Sequence, residues 1–460
     1  SPTIASGVAD ATQQFGPVQA RKYDLGTAVY AAALQGGAAS LRLVRVTDGT
    51  DVAASATLGT GTGITLTAFY TGSLGNSLSA ILGTGSNSTS GAPTFKLSIQ
   101  LPGQLPEIFD NIGGTGNTLY QNMANAINLG QSGLRGPSKL VVATAGSGTT
   151  APTNPTTLTF SGGTDGAATI TSSVLVGVDT IPRKGMYALR NTGVSVAMLA
   201  DADDTTQWTT QAAFGLSEGV YMIGVSPAGD TITNFASSIA TAGIDSYAMK
   251  IIFGDWCFIF DPYNNQQRLI SPQGFIAGML GNMTPSNSSL NKPIAGIIGT
   301  QKTQLNQQYS QAELQAIALA RGDLITNPAP GGNYFAARFG RNTSSNAVIH
   351  GDNYTRMTNF IAATLNAGMG IYVGRKISPT LMNQAYATLD AFLFNLEQQK
   401  ESAAHQVVLN NSNNPFSRTA LGYLQADIKV QYLAINEVFL VNLEGGQSVQ
   451  INRVSAAPIQ

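Results

Sequence analysis

Three stretches decide how this chain folds: Val194-Ser195-Val196-Ala197-Met198-Leu199-Ala200, Val220-Tyr221-Met222-Ile223-Gly224-Val225 and Met249-Lys250-Ile251-Ile252-Phe253. Each is near-continuously apolar and of strand length, the pattern of a strand buried on both faces. Helical candidates lie between them, over residues 205–216 and 231–242. Strand and helix in alternation predict a parallel sheet with helices on its faces, an α/β domain. Upstream, a helix over 23–34 stops at Gly36-Gly37 and leads into Leu41-Arg42-Leu43-Val44-Arg45-Val46, a candidate further strand of that sheet.

The texture changes on either side. Residues 51–166 are rich in Gly, Thr, Ser and Asn, with short β-prone runs at 64–70, 76–82, 95–101, 139–143 and 157–160 and one helix at 119–129. Such spacing predicts a β-sandwich-like insertion interrupting the α/β domain. Beyond it, residues 246–460 read as a C-terminal α+β unit. Ser310-Gln311-Ala312-Glu313 is a capping-box pattern, and Ser378-Pro379 opens a long amphipathic helix with Leu381, Ala385, Leu389, Phe392, Leu393 and Leu396 on one stripe. Apolar runs at 427–433, 436–443 and 447–453 predict a closing β-meander. The expected domains are therefore 1–50 with 167–245, the insert 51–166, and 246–460 with a terminal β-arm at about 436–460.

With 460 residues of which 43% are hydrophobic, the chain can build more than one core. Only 11% of residues are charged and the net charge is −1. The surface is covered by small uncharged polar groups, which offer little resistance to packing against further copies. The near-neutral balance argues against nucleic-acid and anionic-membrane binding. No run approaches the ~18 apolar residues of a membrane span, and no signal-peptide pattern opens the chain. The one cysteine, Cys257, sits in the apolar run Trp256-Cys257-Phe258-Ile259-Phe260 and reads as a small buried hydrophobe, consistent with folding in a cytoplasm.

Reaction chemistry is sparse. His350 and His405 stand in unlike contexts and read as structural or solvated. No Cys/His spacing suits zinc, and no phosphate-cradling loop occurs; no cofactor is expected. Gly59-Thr60-Gly61-Thr62-Gly63 reads as a β-turn of the insert. Asp201, Asp203 and Asp204 end a strand where α/β folds bind ligands. Against that, Asp203 or Asp204 suits a cap for the next helix. Asp261-Pro262-Tyr263 reads as a strand exit into a turn.

Several stretches, in order along the chain, resemble the contractile phage tail sheath proteins. The helix, Gly-Gly break and Val44-Arg45-Val46 are similar to that family's opening segment. Gly72-Ser73-Leu74-Gly75-Asn76-Ser77-Leu78 resembles the Gly-x-x-Gly-Asn-x-Leu motif that opens the family's inserted β-domain, and Phe160-Ser161-Gly162-Gly163-Thr164-Asp165-Gly166 the motif that closes it. Ser271-Pro272-Gln273-Gly274-Phe275-Ile276-Ala277-Gly278 and Lys292-Pro293-Ile294-Ala295-Gly296 resemble two later motifs. In Asn333-Tyr334-Phe335-Ala336-Ala337-Arg338 only Arg338 is held.

The resemblance implies a structural protein rather than an enzyme: a virion subunit made in the host cytoplasm and assembled as stacked hexameric rings around a tail tube. Contraction would drive the tube through the host envelope during genome ejection. Its partners would be itself, the tube protein, and baseplate and tail terminator proteins, with no nucleic acid and no membrane insertion. It implies an outward-facing insert and terminal arms that add strands to neighbouring subunits. The last strand supplies the arm candidates Gln447, Ser448, Val449, Gln450 and Ile451; no matching N-terminal arm is evident before Gly16. Tube-facing candidates are Lys400 and Arg418. Two other readings stand beside this one: the sheath of a non-viral, bacteriocin-like device, and an α/β hydrolase-like enzyme using Asp201 and Asp204.

Overall fold

The computed structural model describes residues 2–37, 40–59, 63–444 and 450–454, with side chains up to Phe439. The chain forms two compact units: Ser1–Val8, Gln19–Val44 and Leu175–Gln460 in one, Ala9–Val18 and Arg45–Val174 in the other.

In the larger unit the three apolar runs are parallel strands in the order Val196–Met198, Tyr221–Val225, Met249–Ile252. The central strand is buried at every residue, which is why its sequence does not alternate. The crossovers carry the helices Trp208–Glu218 and Ile232–Ala242. Thr231 caps the second by accepting from the Asn234 amide, and Gly219 and Gly243 end the two helices in the left-handed region that glycine adopts freely.

Leu41–Leu43 does not join this sheet. It pairs antiparallel with Thr3–Ala5, in register Ile4↔Arg42. A charged residue in the buried parallel sheet needs buried acidic partners, as Lys250 has in Asp323 and Asp352, and among the described residues no ion pair joins Arg42 to an acid. Thr3–Ala5 itself, three residues long, carries no periodic signal in sequence.

Next in the chain, Cys257–Asp261 is the centre of an antiparallel sheet flanked by Gln266–Ile270 and Ile297–Thr300. Helix Gln311–Leu319 starts at the full capping box of Ser310 and Glu313. Helix Pro379–Gln398 is capped by Ser378 and buries Leu381, Met382, Ala385, Leu389, Leu393 and Leu396. The predicted closing meander is not formed. Asp427–Tyr432 pairs with Ser402–Val408, a strand without a clear signal in the sequence, while among the described residues Leu440–Glu444 pairs only with Gln450–Val454.

The smaller unit holds two antiparallel sheets: Ser55–Leu58, Ile64–Ala68 and Val141–Ala145 in one, and Glu107–Ile112, Phe95–Gln100, Ser79–Thr84 and Thr156–Thr159 in the other. Both share one core, with Leu66, Leu82, Leu97, Phe109 and, from helix Asn117–Leu129, Met123 and Ile127. In the glycine-rich turn after Leu58, residues 60–62 lie outside the described residues.

Candidate assembly surfaces

The motif residues of the insert meet each other. Asn76 Nδ2 donates to Gly163 O (3.0 Å), and the Gly163 amide donates back to Asn76 Oδ1 (2.8 Å). Asp165 Oδ1 accepts from the amide and hydroxyl of Ser73, at 2.7 and 2.8 Å. Arg45 ties the two together by donating to Thr71 O (2.8 Å) and Asp165 O (3.1 Å). A Cβ on Gly163 would lie 2.4 Å from Gly72 O, so the approach requires glycine. The opening and closing motifs thus form a polar clasp between segments about ninety residues apart in sequence.

The motifs of the larger unit also converge. Helix Gln273–Asn282 crosses helix Leu25–Ala33 at contact distance, since a Cβ on Gly278 would stand 2.5 Å from Ala32 Cα. Gln35 exchanges two hydrogen bonds with the backbone of Ala295. These motifs encode close backbone packing rather than chemistry.

A buried ion cluster was missed in the sequence. Lys250 Nζ lies 2.6 Å from Asp323 Oδ2 and 3.1 Å from Asp352 Oδ1, all three side chains being excluded from water. Asp352, at the start of helix Asp352–Met369, also accepts from Tyr221 OH (2.6 Å) and from the amide of Ser289 (3.1 Å). Asp323 accepts from the amides of Leu324, Phe339 and Gly340 at 2.8 to 2.9 Å. Burial acts against ionisation of Asp352, but Lys250 and the hydrogen bonds outweigh it and hold the carboxyl below its usual range. The one charged residue in Met249-Lys250-Ile251-Ile252-Phe253 was the available signal, because a lysine in a fully buried strand needs acidic partners.

The acidic triplet is not a joint site. Asp201, at φ 55°, accepts from the Tyr23 amide at 3.0 Å, and burial pushes its carboxyl up to about 6. Asp203 pairs with Lys22 at 2.7 Å, and Asp204 caps the next turn through the Thr206 amide. His350 contacts Glu437, and His405 lies between Glu397 and Asp390. A Gly-x-Ser-x-Gly spacing does occur, at Gly215-Leu216-Ser217-Glu218-Gly219, but inside the last turns of a helix. There Ser217 Oγ donates to Phe214 O, whereas a nucleophile elbow stands on a strand-to-helix turn. Cys257 is fully buried and burial raises its thiol far above the usual range. Among the described residues no group of three or more His, Cys, Asp or Glu could hold a metal ion, and no helix is long and apolar enough to cross a membrane.

Of the arm candidates, Gln447, Ser448 and Val449 lie outside the described residues; Gln450 and Ile451 open the strand Gln450–Val454. Lys400 is exposed just past the long helix, at φ 59°. Arg418 is half-buried and donates to Asn413 O and Gln425 Oε1 of its own loop. Around it Phe416, Leu421 and Tyr423 stand 85, 73 and 66% exposed, apolar side chains that no charge pattern in the sequence marks.

No family model and no curated protein matches the chain. Its fold is that of tail sheath proteins. It superposes on the sheath tail protein of Listeria innocua with a TM-score of 0.61 at 12% identity, covering 99% of this chain and 91% of that one. A sheath tail protein of Desulfitobacterium hafniense gives a TM-score of 0.56 at 13% identity, over 90% of this chain and 86% of the other.

Proposed function

We propose that this chain is the repeating, non-enzymatic sheath subunit of a contractile phage tail, assembling as stacked hexameric rings around a tail tube. The observation that carries the reading is the likeness to sheath tail proteins over nearly the whole length of both chains. The motif contacts support it, since they account for the glycine signatures by close backbone packing. Its partners are then itself, the tube protein, and the baseplate and terminator proteins that bound the sheath. Contraction draws on the difference in packing energy between two subunit arrays, not on a nucleotide. The β-unit Ala9–Val18 with Arg45–Val174, which includes the insert expected at residues 51–166, is the feature on which the choice of a phage tail rests, a large insert being common in the phage sheaths the sequence resembles.

The terminal hairpin Leu440–Glu444 with Gln450–Val454 is the arm of this reading: its free edges add to a neighbour's sheet through main-chain hydrogen bonds. The tube-facing region is the loop around Arg418, with Phe416, Leu421 and Tyr423 supplying the contact area; Lys400, which precedes the opposite end of the strand Ser402–Val408, is a separate candidate. Negative-stain microscopy of the purified protein at rising concentration tests the proposal. Striated tubes or stacked rings are expected; monodisperse monomers at high concentration would overturn it.

A further inference from the structure

Arg338 is the one residue held from an otherwise departed motif, and its surroundings give it a role of its own. It follows the short strand Ala336–Ala337, which pairs with Ile325–Thr326, and its backbone amide donates to Leu324 O at 2.9 Å. The residue is only 8% exposed. Yet its guanidinium makes no hydrogen bond or ion pair with any described residue, and it lies 5.8 Å from the centre of the Phe339 ring. Beside it opens a cavity of about 160 Å³, lined among others by Tyr309, Thr326, Asn327 and Arg338. Thr326 Oγ1 and Asn327 Oδ1 are both buried there without a partner.

A guanidinium so little exposed and without a counter-ion is costly, and so are orphan buried oxygens. The nearest acid, Asp323, gives its oxygens to Lys250 and to three backbone amides. Burial accordingly lowers the Arg338 pKa, with Asp323 offsetting only part of the effect. We propose that this pocket binds a single carboxylate, with Arg338 as its planar, two-pronged donor and the Thr326 hydroxyl as a further donor. The Asn327 amide completes the set, because turning it over presents Nδ2 to the same space. The volume admits a carboxylate with a short aliphatic stem and excludes nucleotide-sized ligands, whose pockets run from roughly 300 Å³. Planar bidentate pairing favours a carboxylate on an acidic side chain or a small dicarboxylate.

The test uses the full chain in dilute, unassembled form, with sodium acetate, sodium glutarate and sodium phosphate compared against sodium chloride at equal ionic strength. Acetate and glutarate are expected to raise the unfolding midpoint by about 2 °C at tenfold excess over the dissociation constant. The shift should vanish in Arg338→Met. That variant should fold, since an apolar chain replaces an unpaired buried charge. Thr326→Val, nearly isosteric, should weaken binding about fivefold and serves if Arg338→Met does not fold. Equal midpoints in carboxylate and chloride, or a shift that survives Arg338→Met, would overturn the proposal; a larger shift with phosphate would overturn the choice of carboxylate. Tube formation then separates the sources. Inhibition by glutarate identifies an acidic side chain of a neighbouring copy as the occupant, and unaffected assembly identifies a free small carboxylate.

Discussion

The strand Tyr221–Val225 and the strand Asp427–Tyr432 belong to the same compact unit and are built to opposite rules. Every residue of the first is buried, and parallel strands flank it on both sides. The second alternates exposed and half-buried residues along its length and has a single partner, Ser402–Val408. After it comes a hairpin whose strands, among the described residues, pair only with each other, and before it a loop carrying exposed Phe416, Leu421 and Tyr423. Two-stranded sheets are marginal alone and carry open edges that accept further strands. The contrast teaches that this chain closes its centre internally and, among the described residues, leaves unpaired strand edges towards its C-terminal end.

The largest expected effect attacks the finished centre. Lys250→Met leaves Asp323 and Asp352 buried against each other without their cation. A loss of about 3–5 kcal/mol in the denaturant unfolding of the unit is expected, as for other buried pairs broken from one side. A loss below about 1 kcal/mol would show that water reaches the cluster and that the centre is less closed than it looks.

Next comes the clasp of the insert. Asn76→Ala removes one partner of each of two hydrogen bonds and strands the amide and carbonyl of Gly163. A cost of about 1–3 kcal/mol is expected, confined to the unfolding of the β-unit. Hydrogen exchange should show it as lost protection in residues 72–78 and 160–166, with the parallel sheet unchanged.

What the sequence disclosed follows the same division. Regions closed by local or strongly apolar signals were legible: the three buried strands, the Ser310 and Ser378 caps, the stripe of the long helix. Strands with weak apolar content were not. Ser55–Leu58 has one large apolar residue, Glu107–Ile112 carries Asp110 and Asn111 in its second half, and Ser402–Val408 opens with Ser-Ala-Ala-His. Pairing was harder still, because Thr3–Ala5 and Leu41–Leu43 find each other through register and not through composition. For the same reason Lys250 was visible as an oddity while Asp352, 102 residues away, was not visible as its partner. The clasp was legible as two motifs and illegible as one contact. Arg338 stood out only by resemblance; its cavity depends on side chains that no local pattern links.

A smaller effect sits at the hinge between long helix and open sheet. His405, on Ser402–Val408, places Nδ1 2.8 Å from Glu397 Oε1 and Nε2 3.1 Å from Asp390 Oδ1, both on the helix. Burial opposes its protonation, but the two carboxylates win and raise its pKa above 6.5. A raised folded pKa means stabilisation that is fully present below the unfolded value and fades as pH rises through the folded one. Amides of Ser402–Val408 should therefore exchange more slowly at pH 6 than expected from pH 8 data corrected for intrinsic rates. His405→Gln should flatten the difference; an unchanged profile would detach the strand's docking from this charge pair.

The smallest effect on the subunit is the one that weighs most on the comparison. Removing residues 440–460 takes away a hairpin whose strands, among the described residues, pair only with each other, so the loss to the remaining fold should stay within about 0.5 kcal/mol, the range of changes that disturb no packed feature. If the open end is an arm, the same deletion should abolish tubes, because it removes the main-chain bonds that this hairpin would donate to a neighbour. Stability and assembly would then separate cleanly: an unshifted melting curve beside a field of unattached subunits. A deletion that lowers the midpoint by many degrees would mean that the hairpin is part of the core after all. Intact tubes from the truncated chain would mean that the open edges are closed by something other than this arm, and would move the search to the exposed Phe416, Leu421 and Tyr423.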